Sequence, residues 1–169
     1  MSILPILAAL LVSSPSPTIP VALLVLNDGE GRSYTAAIVE RGTGKERSRT
    51  LNIVCSSGCT KESVLVSSFD DEPLGLFRLM DANNVVYFTS SSGSSYQIRA
   101  YELTPSRITK ILDVSSLGAP EVKTQDGLET VRITRRVSQK LLRITSDTYV
   151  WKAEGRTREF VRLVAAKAR

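Results

Sequence analysis

Residues 129–136, ETVRITRR, alternate between apolar and polar side chains. Successive side chains on a β-strand point to opposite faces, so Val131 and Ile133 are predicted to face a core while Arg132 and Arg136 face solvent. The stretch therefore predicts a strand with one buried face and one basic, wet face.

Similar short apolar or alternating runs recur along the chain at fairly regular intervals. They cover residues 21–26, 34–39, 50–54, 63–69, 74–80, 85–90, 96–103, 107–114, 140–145, 148–151 and 158–164. Turn-forming sequences such as NDGEG, TPSR and QDG separate several of them, which favours antiparallel hairpins. We predict an all-β fold, an antiparallel meander of about twelve strands forming a sandwich or barrel-like single domain over residues 21–169. Residues 118–127, GAPEVKTQDG, are predicted to form a long connection.

The composition narrows the range of activities. The 169 residues are 42% hydrophobic and 23% charged, which is typical of one soluble globular domain. The chain has no histidine, which removes the usual general base at neutral pH and the commonest metal ligand. We therefore assign no catalytic residue, no metal and no cofactor, and favour a protein that is not an enzyme.

The N-terminal residues have the pattern of a secretory targeting segment. The apolar run ILPILAALLV at 3–12 precedes the small and turn-forming SSPSPTIP at 13–20, as in a secretory signal peptide. Ten apolar residues are too few to span a bilayer as a helix. Residues 1–20 are thus expected to direct export to a periplasmic or extracellular space. The alternatives are a first strand or short hydrophobic helix of the fold, and an uncleaved segment could tether the protein to a membrane.

Both cysteines of the chain lie in CSSGC at 55–59. A three-residue hairpin loop favours glycine in the left-handed conformation at its third position, and Gly58 occupies that position. Cys55 and Cys59 would then face each other and form a disulfide, as exported proteins permit. A redox role is disfavoured because the spacing is not Cys-x-x-Cys, and a zinc site would need further ligands.

The basic residues are concentrated towards the C-terminus. Residues 1–122 hold 10 basic and 12 acidic side chains, whereas residues 123–169 hold 12 basic and 5 acidic ones. The candidate binding residues are Arg132, Arg135, Arg136, Arg143 and Tyr149. An exported protein would use such a face for an anionic envelope polymer or an acidic protein surface, and nucleic acid is disfavoured. The alternative is that these cations serve solubility and edge protection.

The segments QDGLETVRITRR (125–136) and DTYVWKAEGRTREF (147–160) resemble hairpin pairs of uncharacterised exported bacterial β-rich proteins. The matching residues are Asp126, Gly127, Glu129, Tyr149, Trp151, Gly155 and Phe160. The resemblance covers about a quarter of the chain. It implies an exported β-rich module and supplies no catalytic residues.

Two other functions remain open from the sequence. A glycan hydrolase could use two of Asp70, Asp71, Glu72 and Asp81, provided that two carboxylates face one pocket about 5 to 9 Å apart. A small secreted enzyme inhibitor could present residues 90–96 or 40–49 as a loop, provided that a disulfide supports it.

Overall fold

The computed structural model describes residues 19–60, 64–79, 84–93, 95–125, 128–136, 144–154 and 157–163. These residues form twelve strands and one 3-10 turn at Gly44–Glu46. The strands are β1 (Ile19–Asn27), β2 (Ser33–Arg41), β3 (Ser48–Ser57), β4 (Val64–Phe69), β5 (Glu72–Arg78), β6 (Val85–Ser92), β7 (Ser95–Thr104), β8 (Arg107–Ser116), β9 (Glu121–Gln125), β10 (Leu128–Arg136), β11 (Ile144–Glu154) and β12 (Thr157–Leu163). The predicted all-β class is confirmed.

The strands form three four-stranded sheets, each made of four consecutive strands. Sheet 1 contains β1 to β4, sheet 2 contains β5 to β8, and sheet 3 contains β9 to β12. Every neighbouring pair within a sheet is antiparallel, so each sheet is a meander of hairpins. The predicted meander is confirmed, and among the described strands it forms stacked sheets rather than a closed barrel.

Sheet 2 is the middle layer of the stack. On β6, Val86 and Phe88 pack into a core shared with sheet 1, whereas Val85 and Tyr87 pack into a core shared with sheet 3. All four side chains are buried. A strand covered on both faces needs apolar residues at successive positions, which explains the unbroken run VVYF in β6.

A buried arginine connects sheets 1 and 2. The Arg49 guanidinium on β3 donates hydrogen bonds to Glu40 at 2.9 Å and to the carbonyl oxygen of Asp71 at 2.9 Å. It also forms an ion pair with Glu72 at the start of β5. A buried cation is tolerated when its donors are matched in this way, and these contacts fix the link between the two sheets.

Sheet 3 differs from the strand assignments made from sequence. Residues 121–125, predicted to belong to a connection, form β9 on the edge of the sheet. The predicted strand at 148–151 and the end of the one at 140–145 belong to a single strand, β11, and residues 140–143 lie outside the described part. β9 contains one large apolar residue, Val122, so its strand character comes from pairing with β10 rather than from periodicity.

Cys55 and Cys59 form the predicted disulfide, with their Cα atoms 6.3 Å apart. The prediction of a three-residue hairpin loop between these cysteines is wrong. β3 continues to Ser57, and Val54 pairs with Val64 across a longer connection. β3 extends because β2 remains its partner as far as Ser57. The bond therefore joins the end of a strand to the connection that follows it.

The predicted N-terminal signal segment lies almost entirely outside the described residues, since residues 1–18 are not described and β1 begins at Ile19. Within the described part of the chain, no helix has the length and apolar character needed to cross a membrane.

Candidate binding cleft

Sheets 2 and 3 are held together along one side of their interface. β8 contacts β10 and β12 there. The Leu117 amide donates to the carbonyl oxygen of Thr134 at 2.7 Å, and the Thr134 amide donates to the Ser116 hydroxyl at 3.0 Å. Towards the edge strands β5 and β9, the two sheets leave between them a cleft of about 500 Å³. The cleft is the candidate functional site.

The cleft is lined by residues of both sheets and of the connection between β8 and β9. They are Leu74, Phe77, Arg78, Tyr87, Thr89, Tyr96, Ala119, Pro120, Val122, Lys123, Thr124 and Glu129. Phe77 and Tyr87 are opposed on β5 and β6, with their ring centroids 6.1 Å apart. Leu74, Phe77 and Val122 remain 40 to 48% exposed, so the walls present apolar surface to solvent.

A glycine gives the Phe77 ring its position. Gly75 has φ +152°, and a Cβ atom there would lie 3.1 Å from the Phe77 ring. The missing side chain lets the ring lie over the strand beside the cleft, where a larger residue would displace it.

Two buried polar residues lie at the inner end of the cleft. Tyr87 on β6 is 1% exposed and Glu129 on β10 is 3% exposed. Burial, with a contribution from the negative charge of Glu129, raises the pKa of Tyr87 well above its ordinary value. Tyr87 is protonated at physiological pH, as tyrosines ordinarily are, and offers a neutral hydroxyl group.

The positive charges among the lining residues belong to Arg78 and Lys123. Lys123 lies on the edge strand β9, and its ammonium group is 2.9 Å from a carboxylate oxygen of Glu121. Both Arg78 and Lys123 are exposed. By register Lys123 faces outward and Arg78 lies on the side of Val86, so they place positive potential at the rim of the cleft and not on its inner walls.

The carboxylates proposed for a glycan hydrolase do not meet in this cleft. Glu129 is the one carboxylate residue among the described lining residues. Glu72 pairs with Arg49, Asp71 accepts a hydrogen bond from Ser90 at 3.2 Å, and Asp81 lies outside the described residues. Across the described part of the chain, no three Cys, Asp or Glu side chains are grouped to hold a metal ion.

The predicted basic residues occupy two faces of sheet 3. Arg132 and Arg136 are exposed on the outer face, whereas Val131 and Ile133 are buried against sheet 2, as the alternation predicted. Arg135 lies on the same side of the strand as Val131. Arg143 lies outside the described residues.

Tyr149 also faces inward, opposite Val131, and packs against the core between sheets 2 and 3. Arg135 is engaged by Asp147, to which its Nε donates a hydrogen bond at 2.5 Å. The described members of the predicted set therefore do not form one continuous basic surface. Because successive side chains on a strand point to opposite faces, Arg135 and Tyr149 are on the other side of the sheet from Arg132 and Arg136.

The segments proposed for inhibitor loops are strand ends and tight connections. β6 runs to Ser92 and β7 begins at Ser95, so the described residues of segment 90–96 are mostly strand residues of one hairpin. The segment 40–49 includes the ends of β2 and β3 and the 3-10 turn between them. The disulfide at Cys55–Cys59 lies in neither segment.

A second surface of interest is the outer face of sheet 1, which we call the open face. It is formed by uncharged side chains that share one register across four strands, namely Val21, Leu23, Val25, Thr35, Ala37, Val39, Thr50, Asn52, Val54, Val64, Val66 and Ser68. The large apolar residues of β1 and β4 on this face are about half exposed or more.

Comparison of the chain with protein-family models, with curated proteins and with solved structures finds no match.

Proposed function

We propose that this protein is a non-enzymatic binding protein that holds an amphipathic anionic ligand in the cleft between sheets 2 and 3. The single observation that carries the proposal is the opening of the interface towards β5 and β9, which leaves Leu74, Phe77 and Val122 exposed around a cleft of about 500 Å³. Small-molecule sites have volumes of about 300 to 1,000 Å³ and are mostly apolar with a few polar groups.

The chemistry of the lining favours a ligand with a flat apolar body. Phe77, Tyr87 and Tyr96 offer aromatic surface, and the buried Tyr87 hydroxyl and Glu129 supply polar groups at the inner end. Arg78 and Lys123 would attract an acidic group on the part of the ligand that stays near solvent.

The basic C-terminal residues are less suited to an anionic partner than the cleft is. An envelope polymer or acidic protein surface bound through Arg132, Arg135, Arg136, Arg143 and Tyr149 would need these side chains on one surface. Tyr149 and Arg135 face sheet 2, whereas Arg132 and Arg136 face outward. Arg78 and Lys123 lie on the edge strands β5 and β9 at the rim of the cleft, with apolar surface beside them. Lys123 reaches this rim from the outward register that it shares with Arg132.

The binding proposal is tested by titration with 8-anilinonaphthalene-1-sulfonate, an aromatic anion whose fluorescence rises in an apolar site. We expect saturable binding. Phe77→Ser should weaken it about tenfold through lost aromatic contact, and Lys123→Gln by about two- to fivefold through lost attraction. Lys110→Gln is the matched charge control, because Lys110 is exposed on β8 and does not line the cleft.

The same titration separates the cleft from the open face. Val66→Ser removes apolar surface from the open face and should leave dye binding unchanged. A dye affinity that is lost in Val66→Ser but retained in Phe77→Ser and Lys123→Gln would overturn the proposal, and so would the absence of saturable binding.

We also propose that the protein acts outside the cytoplasm, in a periplasmic or extracellular space. The disulfide between Cys55 and Cys59 supports this compartment because such bonds persist in oxidising environments. Expression from the native start, followed by intact-mass analysis with and without reductant, tests it. We expect a cleaved product that gains the mass of two hydrogens on reduction, whereas an uncleaved cytoplasmic product with two free thiols would contradict export.

A further inference from the structure

The open face of sheet 1 leaves several large apolar side chains exposed to solvent. Leu23 and Val66 are 61% and 64% exposed, and Val21, Val25 and Val64 are exposed to a similar degree. Among the described strand residues of sheet 1, the nearest charged one with the same orientation is Arg41, at the end of β2. Exposed apolar patches such as those on β1 and β4 mark interaction surfaces on soluble proteins.

The protein itself shows what covers such a face. The opposite face of sheet 1 packs against Val86, Phe88, Tyr101 and Leu103 of sheet 2. An apolar sheet face in this fold is thus covered by another apolar sheet face, at the spacing of about 10 Å typical of stacked sheets. The open face belongs to the same four strands but is less apolar, since Thr35, Thr50 and Asn52 lie between the apolar residues of β1 and β4. It has no such partner within the described residues.

The outer face of sheet 3 does not match it. Lys123, Arg132, Arg136 and Lys152 share the outward register of that sheet, together with Glu121 and Glu159. Packing this face on the open face of a second copy would remove charged groups from water against apolar side chains, which is strongly unfavourable. Head-to-tail stacking of copies is therefore excluded by charge.

We infer that the open face is a homodimer interface, in which the open faces of two copies pack against each other about a two-fold axis. No charge is buried in this arrangement, because none of the twelve residues that define the face is charged. A face that is complementary to itself gives a closed dimer rather than a filament.

The area of the open face determines the affinity that we expect for the dimer. Four strands of about six residues cover about 19 by 20 Å. With the uneven side-chain surface included, two copies would bury on the order of 1,000 Å² in total, which is typical of a weak, transient interface. A dissociation constant in the micromolar range is expected.

The dimer leaves the cleft accessible, because the cleft lies between sheets 2 and 3 and the open face is on the far side of sheet 1. The inference therefore stands independently of the proposed ligand. Dye binding and dimerisation can fail separately.

The test is sedimentation velocity of the full chain over a concentration series from low to high micromolar. We expect a reversible monomer–dimer equilibrium. Leu23→Lys and Val66→Lys should each weaken it at least about tenfold, since each would place a charge in the apolar interface. Both residues are exposed in the monomer, and circular dichroism checks that the fold is retained.

Ile144→Lys is the matched control, because Ile144 is 61% exposed on sheet 3. It should leave the equilibrium unchanged. A wild-type chain that remains monomeric throughout the series would overturn the inference, and so would a dimer that withstands Leu23→Lys and Val66→Lys. Equal weakening by Ile144→Lys would overturn it in favour of head-to-tail stacking.

Discussion

Asp147 on β11 accepts a hydrogen bond from Arg162 on β12 at 2.8 Å. Its other carboxylate oxygen accepts a hydrogen bond from Arg135 on β10. The Asp147 side chain is 8% exposed. One carboxylate thus joins three neighbouring strands of sheet 3. Two arginines of the basic C-terminal region therefore form structural ion pairs within the sheet.

Replacing Asp147 by asparagine should destabilise the protein at neutral pH by about 1 to 3 kcal/mol, because Arg135 and Arg162 lose a shared charged acceptor. Asp113→Asn is the control: Asp113 pairs with Lys110 at 2.5 Å, but its side chain is 33% exposed. Its loss should cost less than about 1 kcal/mol. Denaturant unfolding measures both values, and equal losses would contradict the role given to Asp147.

The contribution of Asp147 should disappear in acid. Burial alone raises the pKa of its carboxyl group, but the hydrogen bonds and charges of Arg162 and Arg135 outweigh burial and hold the pKa below its usual value. A lowered folded-state pKa gives stability that is present above the unfolded-state pKa and lost as pH falls through the folded-state value. The difference in unfolding free energy between wild type and Asp147→Asn should therefore narrow from neutral pH to about pH 2. A constant difference would refute this assignment.

Gly58 should be sensitive to substitution for two separable reasons. Its φ is +74°, and a Cβ atom would lie 3.0 Å from the carbonyl oxygen of Gly31. Gly58→Ala should cost about 1 to 3 kcal/mol. Gly31→Ala, at φ +79° but with open space, should cost about 1 kcal/mol through backbone strain alone. Gly118→Ala, with open space and ordinary φ, should be nearly neutral in the same unfolding measurements.

Removing the disulfide should weaken the fold modestly without abolishing it. The bond closes a loop of five residues, which corresponds to about 2 kcal/mol in the chain-entropy description. Reductant should lower the unfolding free energy of the wild type by about this amount and leave the Cys55→Ser, Cys59→Ser double variant unaffected. Complete unfolding on reduction would contradict this prediction, because it would mean that the disulfide contributes most of the unfolding free energy.

The strands were largely predictable because most of them carry their own apolar pattern. The alternation in β10 predicted which residues face the core. The unbroken apolar run in β6 is typical of a strand that is covered on both faces, as in the middle sheet of a stack. β9 was not predictable from its own residues, since pairing with β10 makes it a strand. The assignment of strands to three stacked sheets depends on contacts between distant segments, which no local period encodes.

The candidate site was less predictable than the fold. The cleft exists because sheets 2 and 3 separate towards β5 and β9, and that separation is a property of packing. Phe77 and Val122 look like ordinary strand residues until their exposure is known. The concentration of arginine near the C-terminus was a strong compositional signal, but strand geometry divides it between two faces.

The measurement that tests the binding proposal most directly is a set of intermolecular nuclear Overhauser effects between 8-anilinonaphthalene-1-sulfonate and the methyl groups of the protein. The account predicts contacts from the dye to the methyl groups of Leu74 and Val122, which line the cleft. Contacts confined to Leu23 and Val66 on the open face, or no contacts at saturating dye, would contradict it.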